Sequence, residues 1–231
     1  MGAPGRSGLT TSWPWGIGRP DMITTTLAPA SVDIGAVQTV RKLCLLLTVA
    51  TIGVLFMFGT PCWSPLLRTT IEWIGLGLIF VCISGRTWCT LYIGGRKTSE
   101  LVQVGPYSLS RNPLYAFSII GAVGAGAQFG GVSVAILAGV FASIIHAAVV
   151  TQEERLLLAK HGDDFRRYVA DVPRFLPRVS HWRDVDVLQV RPRAVATTFG
   201  DACFFLAAVP IAELFEYFQK AGHIPVFLTL P

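Results

Sequence analysis

The chain contains stretches of apolar residues that are long enough to cross a lipid bilayer. Residues 43–58 and 132–150 contain no Asp, Glu, Lys or Arg. A helix needs about 20 predominantly apolar residues to span the hydrocarbon core of a membrane. Because lipid offers the backbone no hydrogen-bond partners, a spanning segment must satisfy its own N–H and C=O groups, as an α-helix does. These stretches therefore predict an all-α integral membrane protein.

The sequence predicts about five transmembrane helices, separated by turn-forming residues. The spans are expected at residues 37–58, 71–93, 114–127, 132–150 and 199–217. Phe129-Gly130-Gly131 is a short link between the third and fourth spans, so these two should form an antiparallel helical hairpin. The third stretch is short for a span. Either the fifth stretch spans with Glu213 and Glu216 facing the bundle interior, or it forms an interfacial helix.

The composition of the chain divides it into three regions. Residues 1–36 are rich in Gly, Pro, Ser and Thr and lack hydrophobic periodicity, which predicts a flexible N-terminal tail. No small-residue cleavage site follows the first apolar core, so we do not expect a secretory signal. Residues 37–195 form the predicted membrane domain, and residues 196–231 form a C-terminal hydrophobic helix and tail.

The charges of the chain flank its apolar stretches. Only 14% of the residues are charged, which argues against a water-soluble globular protein. The net charge of +5 resides on basic residues next to predicted spans, where they contact lipid head groups, so we expect no nucleic-acid partner. The positive-inside rule then places the N-terminus and residues 94–113 and 151–195 on the cytoplasmic side.

The cysteine and histidine pattern predicts neither disulfides nor a metal site. No CxxC or HExxH motif occurs, and His146 lies among small residues in the fourth span, as a core histidine does. We expect free thiols that behave as small hydrophobic side chains at all five cysteines, Cys44, Cys62, Cys82, Cys89 and Cys203.

Two polar segments on the predicted cytoplasmic side contain the candidate site. The first is ELVQVGPYSLSRNPLY, residues 100–115, in which two prolines disfavour a continuous helix. The second is QEERLLLAKHGDDFRRYVADVPRFLP, residues 152–177, which extends the fourth span until a helix break at Gly162. The predicted hairpin brings the two segments together. Their carboxylates, tyrosines and exposed backbone suit a cationic or zwitterionic ligand beside an amphiphile.

The order of motifs in these segments carries a family resemblance. GPY-x3-R-x-P-x-Y, a helical hairpin, EE-x-x-L, FR-x-YV and VPRFLP occur in sequence over about residues 75–178. This ordered set resembles the isoprenylcysteine carboxyl methyltransferase family, which belongs with the phospholipid N-methyltransferases among integral-membrane methyltransferases. The resemblance implies that residues 37–195 bind S-adenosyl-L-methionine in a pocket on the cytosolic side.

Site residues follow from the resemblance position by position. It implies Arg111 and Tyr115 as catalytic residues. It implies cofactor binding by Ser99, Glu100, Leu101, Val102, Tyr107, Asn112, Pro113, Leu114, Tyr115 and Glu153. Two positions depart from the family pattern. Asn112 stands where eukaryotic members have histidine, so it cannot shuttle a proton near neutral pH. Val149 stands where the prenylcysteine enzymes have a substrate-facing arginine.

The resemblance implies a membrane methyltransferase with a lipid-like or prenylated acceptor. Methylation of a carboxylate on an amphiphile or a prenylcysteine-like thioether is the first hypothesis, and methylation of a phospholipid amine is the second. A membrane reductase that uses NADPH and a non-enzymatic scaffold are the rival classes. Membrane lipids are the other expected partners, and we expect no metal.

Two further features of the spans carry expectations. Arg86, near the cytoplasmic end of the second span, either extends toward the interface or faces the site. The small residues Gly121, Gly124 and Gly126 should let the third and fourth spans pack closely.

Overall fold

The computed structural model of the chain describes residues 59–94, 100–223 and 228–230. Its elements in chain order are β1 (Gly59–Pro61), α1 (Pro65–Ile93), α2 (Pro106–Leu109), α3 (Pro113–Ala127), α4 (Val132–Asp171), α5 (Pro192–Cys203), α6 (Ala208–Lys220) and β2 (Leu228–Leu230). Short 3-10 turns occupy Val179–His181 and Phe204–Ala207. The predicted tail and the predicted span over residues 37–58 lie outside the described residues.

The predicted helical class is confirmed, with one small addition. Strands β1 and β2, three residues each, pair in parallel with Gly59 opposite Leu228. Three helical stretches are long and apolar enough to cross a membrane, namely Pro65–Ile93, Val132–Asp171 and Pro192–Lys220. Helix α3 is apolar but has only 15 residues, as its short apolar stretch predicted.

Helix α1 begins before the predicted boundary at residue 71. Its first turn is stabilised by Ser64, whose side chain accepts a hydrogen bond from the Leu67 N–H at 3.5 Å, and by Pro65 in the first turn. One face of the helix buries Gly75 and Ile79, while Trp73 on another face is exposed. An exposed apolar face of this kind suits contact with lipid.

Small residues bring α1, α3 and α4 together, although not in the predicted arrangement. A Cβ added at Gly124 would lie 2.7 Å from the Gly75 carbonyl oxygen, and one at Gly121 would lie 2.4 Å from Cys82 Sγ. These two glycines therefore face α1. Only Gly126 fits the prediction, since its Cβ would lie 2.8 Å from the backbone of Ala135 in α4. The correction follows from helix periodicity, because Gly121 and Gly124 are three positions apart and share a face, whereas Gly126, two positions after Gly124, faces another way.

Helix α4 continues well beyond the apolar stretch 132–150 and is kinked at Gly162. This glycine has φ 52° and ψ −119° and interrupts the 40-residue helix at the predicted break. The helix resumes after the kink and ends at Asp171. Its second part buries Phe165 and Tyr168. The kink thus turns an amphipathic segment back against the polar loop before α3.

Helix α5 packs against α1, and an ion pair fixes α6 near the start of that helix. Ala202 of α5 packs against Ile79 and Ile83 of α1. Glu216 of α6 accepts a hydrogen bond from Arg68 Nη2 at 2.6 Å, near the start of α1. Glu216 therefore faces the bundle, whereas Glu213 is exposed.

Candidate functional site

The polar loop before α3 is fixed by the segment that follows α4. We call residues 172–185 the strap. Backbone hydrogen bonds join the Arg111 N–H to the Pro173 carbonyl at 2.9 Å and the Arg178 N–H to the Leu109 carbonyl at 2.9 Å. The two segments that the sequence singled out are therefore in contact, as the predicted hairpin required.

The conformation of α2 depends on a glycine. Gly105 has φ 59°, and a Cβ there would lie 2.2 Å from the ring of Tyr92, so a side chain is excluded on two grounds. The Gly105 N–H donates to the Arg183 carbonyl of the strap at 2.7 Å. Tyr168 of α4 donates its hydroxyl hydrogen to the Tyr107 carbonyl at 2.7 Å. Contacts with α1, α4 and the strap thus fix the position of α2 and Tyr107.

Glu154 is the centre of a polar clamp between the loop, α4 and the strap. Its carboxylate accepts a hydrogen bond from Arg174 Nη2 at 2.8 Å and lies 3.5 Å from Arg111 Nε. The Asn112 side-chain amide lies 3.4 Å from the same carboxylate and donates to the Arg174 carbonyl at 3.2 Å. Arg174 also donates to the Thr151 hydroxyl at 3.0 Å. This carboxylate therefore holds the fold of the site together.

The neighbouring carboxylate faces a different set of groups. Glu153 accepts the hydroxyl hydrogen of Tyr115 at 2.7 Å. The Tyr115 ring is 5% exposed and contacts the His146 ring edge-on, with centroids 5.0 Å apart. Adjacent helical residues project about 100° apart, so Glu153 and Glu154 point to different neighbours. Tyr115 and Glu153, both predicted site residues, are brought together.

The hydroxyl of Tyr107 is a buried polar group that has no partner among the described residues. Tyr107 is 4% exposed, and its hydroxyl forms no hydrogen bond within the described part of the chain. Burial raises the pKa of Tyr107 well above its ordinary value, and the neighbouring Cys89, Tyr168, Tyr115 and Glu153 raise it further. A buried hydroxyl that lacks a partner is costly, which is a common sign of a ligand that completes the site.

The remaining predicted positions have more varied surroundings. Val102 and Leu114 are partly buried against the cluster that contains Tyr107. Leu101 packs against the cluster of Phe165, Tyr168 and Val172 instead.

Four more of the predicted positions begin a helix, are exposed, lie outside the described residues or belong to the clamp. Pro113 begins α3, where its missing N–H costs nothing. Glu100 is exposed at the start of the loop, and Ser99 lies outside the described residues. The predicted catalytic residue Arg111 lies against Glu154, at the clamp.

Arg174 and Tyr168 have structural roles that the sequence did not define. Both occur in motifs that carry the resemblance, VPRFLP and FR-x-YV. Their partners, Glu154 and the Tyr107 carbonyl, are separated from them by 20 and 61 positions. Such pairings depend on tertiary structure. In the three described ranges, no group of three or more His, Cys, Asp or Glu side chains is placed to hold a metal ion.

Comparison with known proteins identifies the family. The model of the phospholipid methyltransferase family matches residues 73–164. The cobalt-zinc-cadmium resistance protein CzcN of Cupriavidus metallidurans is 37% identical over 180 residues, covering 75% of this chain and 81% of that protein. This chain belongs to the phospholipid methyltransferase family. The resemblance read from the ordered motifs is thereby confirmed at the level of the family.

A second relative of this methyltransferase-family protein carries a similar name. The nickel-cobalt-cadmium resistance protein NccN of Alcaligenes xylosoxydans xylosoxydans is 32% identical over 169 residues, which cover 73% of this chain and 78% of that protein. No solved structure matches the chain. The family match includes Glu153 and Glu154 of α4 and ends just after the kink at Gly162, so the strap lies outside it.

Proposed function

We propose that the chain is an S-adenosylmethionine-dependent methyltransferase embedded in the membrane. It would methylate the carboxylate of a prenylcysteine-like or other amphiphilic acceptor. The observation that carries the proposal is the Tyr115–Glu153 pair next to the unpartnered hydroxyl of Tyr107. Membership of the family supplies the reaction class, and this arrangement of polar groups supplies a suitable place for a cationic methyl donor.

The polar groups of the site fit the chemistry of this cofactor. S-adenosylmethionine, when bound, supplies an activated methyl group on a cationic sulfonium. The Glu153 carboxylate would hold the ammonium group or the ribose hydroxyls, and the Tyr107 hydroxyl would donate to an acceptor atom of the cofactor. The faces of Tyr107 and Tyr115 offer negative π-electron density to a cation. The contact with Tyr107 would satisfy a buried hydroxyl that has no hydrogen bond among the described residues.

The loop backbone offers further contacts. Residues 101–103 lie in non-helical backbone, and their N–H and C=O groups form no hydrogen bonds within the ranges that the structure describes. These backbone groups would bind a heterocycle or an amide-like group of the cofactor. Leu101 and Val102, two of the predicted cofactor-binding residues, are in this stretch.

Methyl transfer from a sulfonium requires positioning more than proton transfer. Positive charge disappears as the methyl group leaves, so no strong acid is needed. Holding donor and acceptor in line at near-attack distance can supply several kcal/mol. The clamp around Glu154 provides the rigidity for such positioning, because it ties the loop, α4 and the strap together.

The state of Glu154 favours a carboxylate acceptor over an amine. An amine must lose a proton before or during transfer, whereas a carboxylate is already ionised near neutral pH. Glu154 directly follows Glu153 in the sequence, and its carboxylate lies against Arg111 and Arg174. This carboxylate is thus already engaged in two ion pairs, which supports a carboxylate acceptor over an amine. Methylation of a phospholipid amine is therefore the second hypothesis.

The charges next to the helices support a cytoplasmic location of the site. Arg155, Arg166 and Arg167 lie on exposed positions of α4 on the same side of the bundle as the loop and the strap. Under the positive-inside rule this end of the bundle faces the cytoplasm.

The names of the two relatives suggest a setting for the reaction. Both are called resistance proteins for divalent metals, cobalt and cadmium among them. We propose that this chain supports metal resistance through methylation of a membrane amphiphile. Deleting the gene should lower the tolerated concentration of cobalt, zinc or cadmium, and the wild-type gene should restore it. Complementation by Glu153→Gln at equal expression would contradict this link between methyl transfer and resistance.

Calorimetric titration of S-adenosylmethionine into the detergent-purified protein tests the proposal. We expect a micromolar dissociation constant that is weakened by Glu153→Gln. Transfer of labelled methyl groups into lipid extracts then identifies the acceptor class, since a methyl ester releases volatile methanol in base and an N-methyl group does not. Binding of NADPH instead would favour a reductase. Binding of neither ligand would favour a scaffold.

A further inference from the structure

Arg86 is a charged residue inside an apolar helix. It lies in α1, about two helical turns before the helix ends at Ile93. A charged side chain within a membrane span is costly, and such residues commonly pair with another charge or bind a ligand. The partners of Arg86 therefore need to be identified.

The partner of Arg86 is neutral. Its Nη1 donates to the hydroxyl of Ser118 in α3. That hydroxyl donates its own hydrogen to the Leu114 carbonyl at 2.9 Å, so it accepts from the guanidinium and carries no charge. The Arg86 Nε is buried and forms no hydrogen bond with any described residue. The side chain is thus hydrogen-bonded to α3, one turn from Tyr115.

Arg68, in the same helix, is an arginine whose charge is paired with carboxylates. Arg68 lies 2.9 Å from Glu72 and 2.6 Å from Glu216. Among the described residues, no Asp or Glu lies within ion-pair distance of Arg86. The positive charge of Arg86 is thus left without a counter-ion on the described part of the chain.

Arg86 lies next to the candidate site. Its partner Ser118 follows Tyr115 by one turn of α3, about 5 Å along the axis. Cys89, one turn from Arg86 on α1, packs with Tyr107 in one buried cluster. The guanidinium therefore lies about one turn further from the loop than the Tyr115–Glu153 pair, toward the apolar middle of the bundle.

We propose that Arg86 binds the carboxylate head group of an amphiphilic ligand and determines the charge specificity of the site. The guanidinium would form charge-assisted hydrogen bonds with the carboxylate, which supplies the missing counter-ion. An apolar chain attached to the head group would extend into the membrane. That this ligand is the methyl acceptor rests on the proposed function, whereas its binding at Arg86 does not.

Binding of chain-matched probes tests the inference. Hexadecanoate, hexadecanol and hexadecylammonium present an anion, a neutral group and a cation on one chain. Their dissociation constants are measured at pH 8.5 in nanodiscs of neutral phosphatidylcholine. We expect hexadecanoate to bind about ten- to a hundredfold more tightly than hexadecanol, the range for hydrogen bonds to a charged group. Equal binding of the two, or tighter binding of hexadecylammonium, would overturn the proposal.

Variants assign the preference to Arg86. Arg86→Gln should bind the acid and the alcohol equally, whereas Arg86→Lys should retain part of the preference because it keeps the charge. Arg68→Gln is the matched control, since it removes an arginine of the same helix that already has counter-ions; the preference should persist. A preference that survives in folded Arg86→Gln would overturn the assignment.

The result also separates this inference from the proposed function. A wild-type protein that prefers hexadecanoate but binds no S-adenosylmethionine would support the role of Arg86 and contradict the methyltransferase activity. A protein that binds S-adenosylmethionine without any preference for the acid would do the reverse.

Discussion

Glu153 and Glu154, adjacent residues of α4, should respond differently to mutation, the first in cofactor binding and the second in stability. Glu154 is 18% exposed at its side chain and lies against Arg111 and Arg174, at 3.5 and 2.8 Å. Removing one partner of a fully buried ion pair destabilises a protein by about 3–5 kcal/mol. An exposed pair contributes only about 0–1 kcal/mol. For this partly buried cluster we expect Glu154→Gln to cost about 2 kcal/mol.

That change in stability is large enough to measure. For a chain of this size, 2 kcal/mol corresponds to a fall in melting temperature of about 4–8 °C. Glu153→Gln should lower the melting temperature by less than about 2 °C, because the amide oxygen still accepts the Tyr115 hydroxyl hydrogen. It should weaken S-adenosylmethionine binding about tenfold or more, since a charged acceptor is lost.

Melting curves and calorimetric titrations of the two purified variants provide the comparison. Glutamine has nearly the same size as glutamate, so the pair isolates the effect of charge. The reasoning fails if Glu154→Gln melts like the wild type, or if Glu153→Gln binds the cofactor with unchanged affinity while Glu154→Gln does not bind it.

Two further predictions concern glycines. Gly75→Ala should destabilise the bundle by about 2 kcal/mol, because its Cβ would lie 2.8 Å from the Gly124 carbonyl oxygen, whereas Gly77→Ala, with open space around it, should be neutral or stabilising in thermal melts. Gly162→Ala should destabilise the protein by about 1–3 kcal/mol because of the positive φ at this residue, although no atom lies near its Cβ position. Gly200→Ala is the control, since Gly200 also has no near neighbours but has an ordinary φ. Equal melting temperatures within either pair of variants would contradict the geometry.

Local signals in the sequence predicted much of the helical framework. Pro113 sets the start of α3, and Gly162 sets the kink of α4, because both residues restrict or release backbone conformations whatever the tertiary context. The short link through Gly130 likewise predicted the hairpin of α3 and α4. These features depend on a few neighbouring residues, so one sequence suffices to find them.

The different contacts of Glu153 and Glu154 could not be predicted from local signals in the sequence. Glu153 and Glu154 are chemically identical neighbours, and the sequence assigned only Glu153 to the cofactor. Their difference depends on Arg174, which lies 20 positions downstream and reaches Glu154 only because the strap folds back. The direction of Arg86 depended similarly on Ser118, 32 positions away on another helix. Long-range packing decides such cases, and no local pattern encodes it.

The two ends of the bundle differ in how their arginine side chains are paired, although Trp63 Nε1 at the far end also lacks a partner among the described residues. At the end away from the loop, Arg68 pairs with Glu72 and Glu216, and Glu216 also pairs with Lys220 at 2.5 Å. This network fixes α6 against α1 by internal pairing alone.

At the loop end, the buried polar atoms that lack partners within the described ranges include the Tyr107 hydroxyl and the Arg86 Nε. Buried groups of this kind reduce stability unless a ligand binds them. A cationic methyl donor would bind beside Glu153, and an anionic head group would bind at Arg86. The two bound groups would carry opposite charges and lie about one helical turn apart. In-line transfer also requires the acceptor oxygen to lie about 3–3.5 Å from the methyl carbon, so the head group bound at Arg86 would have to extend toward the donor.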